Sequence, residues 1–257
     1  MCLWHLDNPS KKLRLKEATM NLEQILQHPL KLDRIKKDPV IGKMDFSKFE
    51  AMPVEVQRKI ILDSNDLGTF VREKRQFGAR IACTMGTMDM THIGHMRYMA
   101  KAKREGDLLI LGIDTDESVK RYKHASRPYT NQYERAEMCA HTSAVDIVTF
   151  VDDVNEKGIW AYKLIKEILP DVFTAIKESY PKRQLKEIGF YCTRINLIPR
   201  QAPGSTTDIC EEIATTILGY PDLVKKIEAG NPKFSANILK AAKEITRIRE
   251  EKGESQQ

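Results

Sequence analysis

The stretch ARIACTMGTMDMTHIGHMRYMAKAKREGDLLILGID, residues 79–114, decides the fold of the chain. It opens on a short β-prone run, ARIACTM, turns at Gly86, and enters a helical pattern near Gly94 that ends at about Arg104. It closes on DLLILGID, an almost unbroken apolar run of the kind found in strands covered on both faces by helices. Strand, loop, helix and strand in that order read as one parallel crossover unit.

The same alternation continues downstream. VDIVTFV (145–151) precedes EKGIWAYKLIKEIL (156–169), PDVFTAI (170–176) precedes KRQLKEIG (182–189), and RINLIP (194–199) precedes STTDICEEIATTIL (205–218). This predicts an α/β fold, a Rossmann-like doubly wound parallel sheet, over residues 78–219. Residues 1–77, broken by Pro9, Pro29, Pro39 and Pro53, read as a helical and irregular N-terminal extension, and residues 220–257 as a helical C-terminal one. Within the first, residues 53–75 predict a helix with Pro53 in its first turn and Val56, Ile60, Ile61, Leu67, Phe70 and Val71 as a buried stripe.

A chain of 257 residues suits one substantial core with extensions. Its net charge of +6 comes from Lys and Arg interspersed with acids, not from a basic block, and accords with an anionic small substrate. The five cysteines form no C-x-x-C pair, so reduced, mostly buried thiols of a cytoplasmic protein are expected. No basic leader with an apolar run opens the chain, and no apolar stretch approaches the ~18 residues that a membrane span needs.

Sheets of this type bind ligands beyond the carboxyl ends of their strands, which singles out the loop GTMDMTHIGH, residues 86–95. His92 and His95 lie one helical turn apart, so both rings can face one ligand. Gly94 lets a group approach the backbone, and the N–H groups of a first helical turn favour an anion. Two histidines without a third ligand make a poor zinc site, while an isolated H-x-x-H is as often a capping or surface pair.

GTMDMTHIGH resembles the H-x-G-H signature of the nucleotidyltransferase superfamily (cytidylyltransferase-like), with Met88 in place of the usual Phe and Asp89 retained. Two further segments match in order. SVKRYKHASRPYTNQYERAEMCA (118–140) resembles the region where a Lys, an Arg-Pro and a helix-opening Arg follow the second strand; RQAPGSTTDI (200–209) resembles the Ser-Thr-Thr segment at the last core helix. Within the superfamily SVKRYKHASRPY (118–129) and ERAEMCAHTSAVDIVTFVDD (134–153) are most similar to heptose 1-phosphate adenylyltransferases, the adenylyltransferase domain of ADP-heptose synthase, and the chain is next most similar to glycerol-3-phosphate cytidylyltransferases. PDVFTAIKESYP (170–181) departs from the former, lacking their Lys-Gly-Gly-Asp turn.

The resemblance implies an enzyme that moves a nucleoside monophosphate, AMP first and CMP next, from a triphosphate to a phosphorylated small molecule such as a sugar phosphate, releasing pyrophosphate. It assigns His92 and His95 to the triphosphate, Lys123 to the acceptor phosphate or to a point charge bridging the two substrates, and Arg135 as a planar fork for a phosphate. Thr87, Met88, Asp89, Gly94, Arg127, Arg200, Gly204, Ser205, Thr206 and Thr207 are implied as nucleotide-binding. Mg2+ is expected with ATP or CTP, held mostly by phosphates and water, with no protein metal site. Neither membrane nor nucleic acid is an expected partner, and the extensions leave a homodimer open. Two other readings compete: a catalytically inactive nucleotide-binding or assembly protein on the same fold, and a class I tRNA-synthetase-like adenylate-forming enzyme. The second shares His-Ile-Gly-His, but GKMDFSKF (42–49) only loosely echoes its Lys-Met-Ser-Lys-Ser loop and precedes the motif instead of following it.

Overall fold

The computed structural model describes residues 37–38, 40–123, 127–204 and 206–218. Expectations for residues 1–36, Pro39, Ser205 and the C-terminal extension lie outside the described residues. Two compact units divide the chain, one ending at Gln201 and one beginning at Ala202.

Five strands form the first unit's sheet: β1 (Ile81–Gly86), β2 (Leu108–Asp114), β3 (Ile147–Val151), β4 (Val172–Ile176) and β5 (Arg194–Ile198). Their spatial order is β3-β2-β1-β4-β5 and every pairing is parallel. Order reverses between β1 and β4, so the crevice at the carboxyl end of β1 is the switch point.

Alternating side chains serve two separate cores, as the period of a strand requires. Ala82, Leu109, Leu111, Ile113, Val148 and Phe150 face one, against Tyr98, Met99 and Ala102 of one helix and Ala136, Cys139 and Ala140 of another. Ile81, Cys83, Met85, Ile110, Ile147 and Val151 face the other, with Leu67, Phe70, Val71, Leu164, Ile165 and Ile168. Gly112 lies in this second layer, where an added Cβ would stand 2.7 Å from Leu164 and from Val151.

The segment before the sheet holds α1 (Ser47–Glu50), α2 (Val54–Gln57) and α3 (Ser64–Gln76). The single helix expected over residues 53–75 is thus two. Its stripe is buried as expected, but the chain straightens between α2 and α3, where Ile60 forms a parallel bridge with Val148 at the outer edge of β3. Ile61 N–H donates to the Val148 carbonyl, and the Val148 N–H to that of Lys59. Asp63 then caps α3 by accepting from the Asn65 and Asp66 amides. Satisfying the open edge of β3 outweighs continuing a helix there.

Downstream follow α4 (Ile93–Lys103), α5 (Asp116–Tyr122), α6 (Gln132–Ala140), α7 (Lys163–Ile168), α8 (Lys182–Ile188) and, in the second unit, α9 (Thr206–Leu218). The expected helix over 156–169 forms only at its end. Residues 154–160 make a small hairpin instead, bridged at Val154 and Trp160 and turned by Gly158 at φ 71°, while Tyr162 and Leu169 bound α7 in left-handed conformations. Of the described cysteines, Cys83 and Cys139 are buried and Cys192 and Cys210 are half-buried. No helix among the described residues is long and apolar enough to cross a membrane.

Candidate active site

β1 ends in a loop whose backbone is strained at two places: Met88 and Met90 have φ of 52° and 45°, a left-handed conformation unusual for residues with a Cβ. This turn buries Met88 and sends the Asp89 carboxylate inward, where it is 2% exposed. There Asp89 accepts from the Tyr129 and Thr130 amides and pairs with Arg127 Nη2 at 2.9 Å. Asp89 therefore ties the loop after β1 to the loop that precedes α6.

Three residues on, His92 is the N-cap of α4. Its Nδ1 accepts from the Gly94 amide at 3.1 Å, and Nδ1 of His95 accepts from the His92 amide at 3.3 Å. This is a reciprocal capping arrangement in which imidazoles replace the usual hydroxyl and carboxylate. With both Nδ1 atoms accepting, each neutral ring carries its proton on Nε2. Burial pushes His95 down to about 4, helped by His92 and Lys123 and opposed by Asp89; burial lowers His92 as well. At neutral pH the result is two uncharged rings, centroids 4.2 Å apart, presenting Nε2–H donors at a helix N-terminus.

Lys123 follows α5, its ammonium 5.8 Å from the Tyr122 ring centroid. Crowding by protein around the ammonium lowers its pKa and Arg127 adds to this, while Asp114 and Asp89 oppose it, although the residue as a whole keeps solvent access. Arg127 stacks on the Tyr129 ring at 4.6 Å, and its Nε is buried without a hydrogen-bond partner.

Arg135 corrects the sequence reading. It is fully buried, and its guanidinium is spent on protein: Nε donates to the Thr130 carbonyl, Nη1 to that of Thr87, and Nη2 to the Asp114 carbonyl at 2.8 Å and to Asp116 at 2.6 Å. The fork grips the ends of β1 and β2 and the loop before α6, and so positions the loops that carry the histidines and Lys123. It is not exposed to a phosphate.

Two residues overlooked in the sequence join this set. The Tyr122 hydroxyl donates to Asp114 Oδ2 at 2.6 Å and lies 2.7 Å from Thr87 Oγ1. Burial raises the Asp114 pKa, against the pull of Tyr122, Arg135 and Lys123. A carboxylate closing the apolar run DLLILGID at the ligand end of a strand was a readable signal for Asp114; nothing comparable marked Tyr122. Arg200 is exposed just beyond β5. Gly204, Thr206 and Thr207 lie in the second unit, where Thr206 is buried at the start of α9 and Thr207 is exposed. Among the described residues no group of three or more His, Cys, Asp and Glu gathers to hold a metal ion.

A parallel sheet with paired neutral imidazoles at the switch-point end of its first strand makes this a doubly wound α/β domain whose ligand-end crevice offers N–H donors. The cytidylyltransferase-like family profile matches residues 83–218, more than half of the chain, and the chain belongs to that family. Among curated relatives, the bifunctional protein HldE of Geotalea uraniireducens (strain Rf4) is 34% identical over 151 residues, 58% of this chain and 30% of that protein. HldE of Syntrophotalea carbinolica is 34% identical over 185 residues, 68% of this chain and 36% of that protein. The chain thus spans about a third of the length of these relatives. A solved lipopolysaccharide core biosynthesis protein from Thermoplasma volcanium GSS1 matches at 18% identity and a TM-score of 0.39, over 48% of this chain and 98% of that one.

Proposed function

We propose that the chain is a nucleotidyltransferase that moves AMP, or next in preference CMP, from the Mg2+ complex of the triphosphate onto the phosphate of a small acceptor such as a sugar phosphate, in the cytoplasm. The observation that carries this reading is the His92–His95 pair: two uncharged rings, each with Nδ1 engaged by an amide and Nε2–H left to donate, at the start of α4.

An acceptor phosphate oxygen is already ionised at neutral pH, so its attack on the α-phosphorus needs no general base. One P–O bond forms, the α–β P–O bond breaks, and its electrons leave on pyrophosphate. The residues have two tasks, to align the phosphates and to meet the charge that shifts as the bond breaks. His95, deeper than His92, is assigned to the α-phosphate and His92 to the outer phosphates. Lys123, near enough to Asp114 and Asp89 for their charges to act on it, is assigned to the acceptor phosphate. Asp89 and Arg135 are positioning residues that hold the two loops together. AMP is favoured because residues 118–129 and 134–153 resemble heptose 1-phosphate adenylyltransferases and because the relatives at 34% identity are HldE proteins.

Pyrophosphate release tests the reading, with ATP and CTP each paired with hexose and heptose 1-phosphates and glycerol 3-phosphate. Turnover with ATP and a sugar phosphate is expected. Nucleotide binding without turnover in any pairing would replace it with the nucleotide-binding or assembly role.

A further inference from the structure

Cations and carboxylates meet in pairs beyond the carboxyl ends of β1 and β2. Arg127 bonds to Asp89 at 2.9 Å and Arg135 to Asp116 at 2.6 Å. Lys123 and Asp114 are left over: among the described residues neither joins an ion pair, yet they are close enough for their charges to interact. Asp114 is 2% exposed, and hydroxyls, not a cation, meet its carboxylate. The Tyr122 hydroxyl donates to Oδ2 at 2.6 Å, and Thr87 Oγ1 lies 2.7 Å from that hydroxyl. Arg135 takes the Asp114 carbonyl instead.

The strand register accounts for this meeting. Gly86 pairs with Ile113, so Thr87 and Asp114 follow side by side, and Tyr122 reaches both from α5 with its ring held 5.2 Å from that of Trp160. A phenol and an alcohol carry one proton each. Tyr122 spends its proton on Asp114, which leaves its oxygen to accept from Thr87, a chain of donors that ends on the carboxylate. Burial, and then the charge of Asp114, push the Tyr122 phenol up, so it stays a donor. Burial also raises Asp114, while Tyr122, Arg135, Lys123 and Thr87 pull it back toward its ionised form. Without the hydroxyls, a buried carboxylate beside a lysine would take the ammonium as its direct partner.

We propose that Asp114 and Tyr122 are positioning residues for Lys123: Asp114 supplies the negative charge that keeps the crowded ammonium protonated, and the Tyr122 hydroxyl, backed by Thr87, occupies the carboxylate so that the ammonium stays open to an anionic ligand. That this anion is the acceptor phosphate rests on the transfer reading above; the coupling of the three residues does not. Other groups face the pair from each neighbouring element. Asp89 and neutral His95 act on or feel Lys123 from the loop after β1 and from α4, and Arg127 and Arg135 act on it from the loop before α6 and from α6. Asp153 beyond β3 and the Tyr180 phenol beyond β4 lie within reach of the charge on Asp114. Since Asp89 and Asp116 already answer arginines, Asp114 is the carboxylate left to balance Lys123.

The Lys123 ammonium reports the test through the 13Cε signal of the lysine-labelled full chain titrated against pH, with Lys123→Met identifying the peak. Asp114→Asn should lower the Lys123 midpoint by about one unit. Tyr122→Phe, which keeps the ring on Trp160, frees the carboxylate to take the ammonium and should raise the midpoint by about one unit. Combining the two substitutions should abolish that rise and return the midpoint to that of Asp114→Asn alone, which a merely structural role for Tyr122 would not do. Pyrophosphate release from ATP and the sugar phosphates should follow. Its alkaline limb, where Lys123 gives up its proton, moves down by the same unit in Asp114→Asn. Tyr122→Phe lowers kcat/KM for the acceptor about tenfold at neutral pH, mainly through KM, as one charge-assisted contact is lost. If Asp114→Asn does not fold, Tyr122→Phe carries the test. A Lys123 midpoint that stays in place in the folded variants would overturn the proposal, and so would a fall in Tyr122→Phe. Midpoint shifts of the expected signs without pyrophosphate release would remove the transfer reading and leave this one standing.

Discussion

Replacing Arg135 by methionine separates a clamp from a phosphate ligand. Methionine has a similar length and fills the site, but removes every donor. The carbonyls of Thr87, Asp114 and Thr130 would each lose a charged partner, and Asp116 its counter-ion. Breaking a buried ion pair from one side costs about 3–5 kcal/mol, and each carbonyl deprived of a donor adds about 1 kcal/mol. Asp116 is 29% exposed, so water recovers part of its share. The net expectation is a loss of about 4 kcal/mol, a large part of the stability of an ordinary domain. That corresponds to a melting temperature lower by about 8–16 °C. Urea titration and calorimetry of Arg135→Met read both quantities. Arg135→Lys keeps the charge but not the fork, and should fall between the variant and the wild type. Melting within a degree of wild type, together with lost Mg·ATP affinity, would refute the clamp and restore the sequence assignment of a phosphate fork.

Three further outcomes are expected. In Asp89→Asn the amides of Tyr129 and Thr130 lose their carboxylate partner, and their hydrogen exchange should quicken by at least about tenfold; unchanged exchange would mean that Asp89 does not hold the loop. His95 takes up its proton at about 4 in the folded chain against an ordinary 6.5, so the unfolded state binds more protons between those values. Stability should therefore fall as pH drops from 6.5 toward 4, by up to about 1.4 kcal/mol per unit, and His95→Gln should flatten the slope in a urea-by-pH series; an equal slope would place the titration elsewhere. His95→Ala should lower turnover by about 10²–10³-fold with little change in melting temperature, and wild-type-like turnover would count against its role at the α-phosphate.

How far the sequence carried depended on which physical term ruled each position. The strands were legible because Leu109, Leu111 and Val148 are apolar for the same reason that Ile110 and Ile147 are: both faces of a parallel sheet are covered. The break between α2 and α3 was not, because the apolar stripe is the same whether Ile60 sits on a helix or bridges to Val148; only the open edge of β3 chooses, and that edge comes from a distant part of the chain. His92 and His95 were legible as a pair by spacing, while their tautomers became readable only once both amides were seen to donate to Nδ1. Arg135 was misread since position after a helix start says nothing about whether a guanidinium faces ligand or carbonyls.

The central claim is that His92 and His95 are neutral Nε2–H donors to a triphosphate, and 15N NMR of the histidine rings during Mg·ATP titration tests it most directly. At pH 7 both rings should show the Nε2–H tautomer, with His95 unprotonated down to about 4, and both Nε2–H signals should move as ATP saturates the chain. Nδ1–H tautomers, or Nε2–H signals that stay in place at saturation, would contradict it.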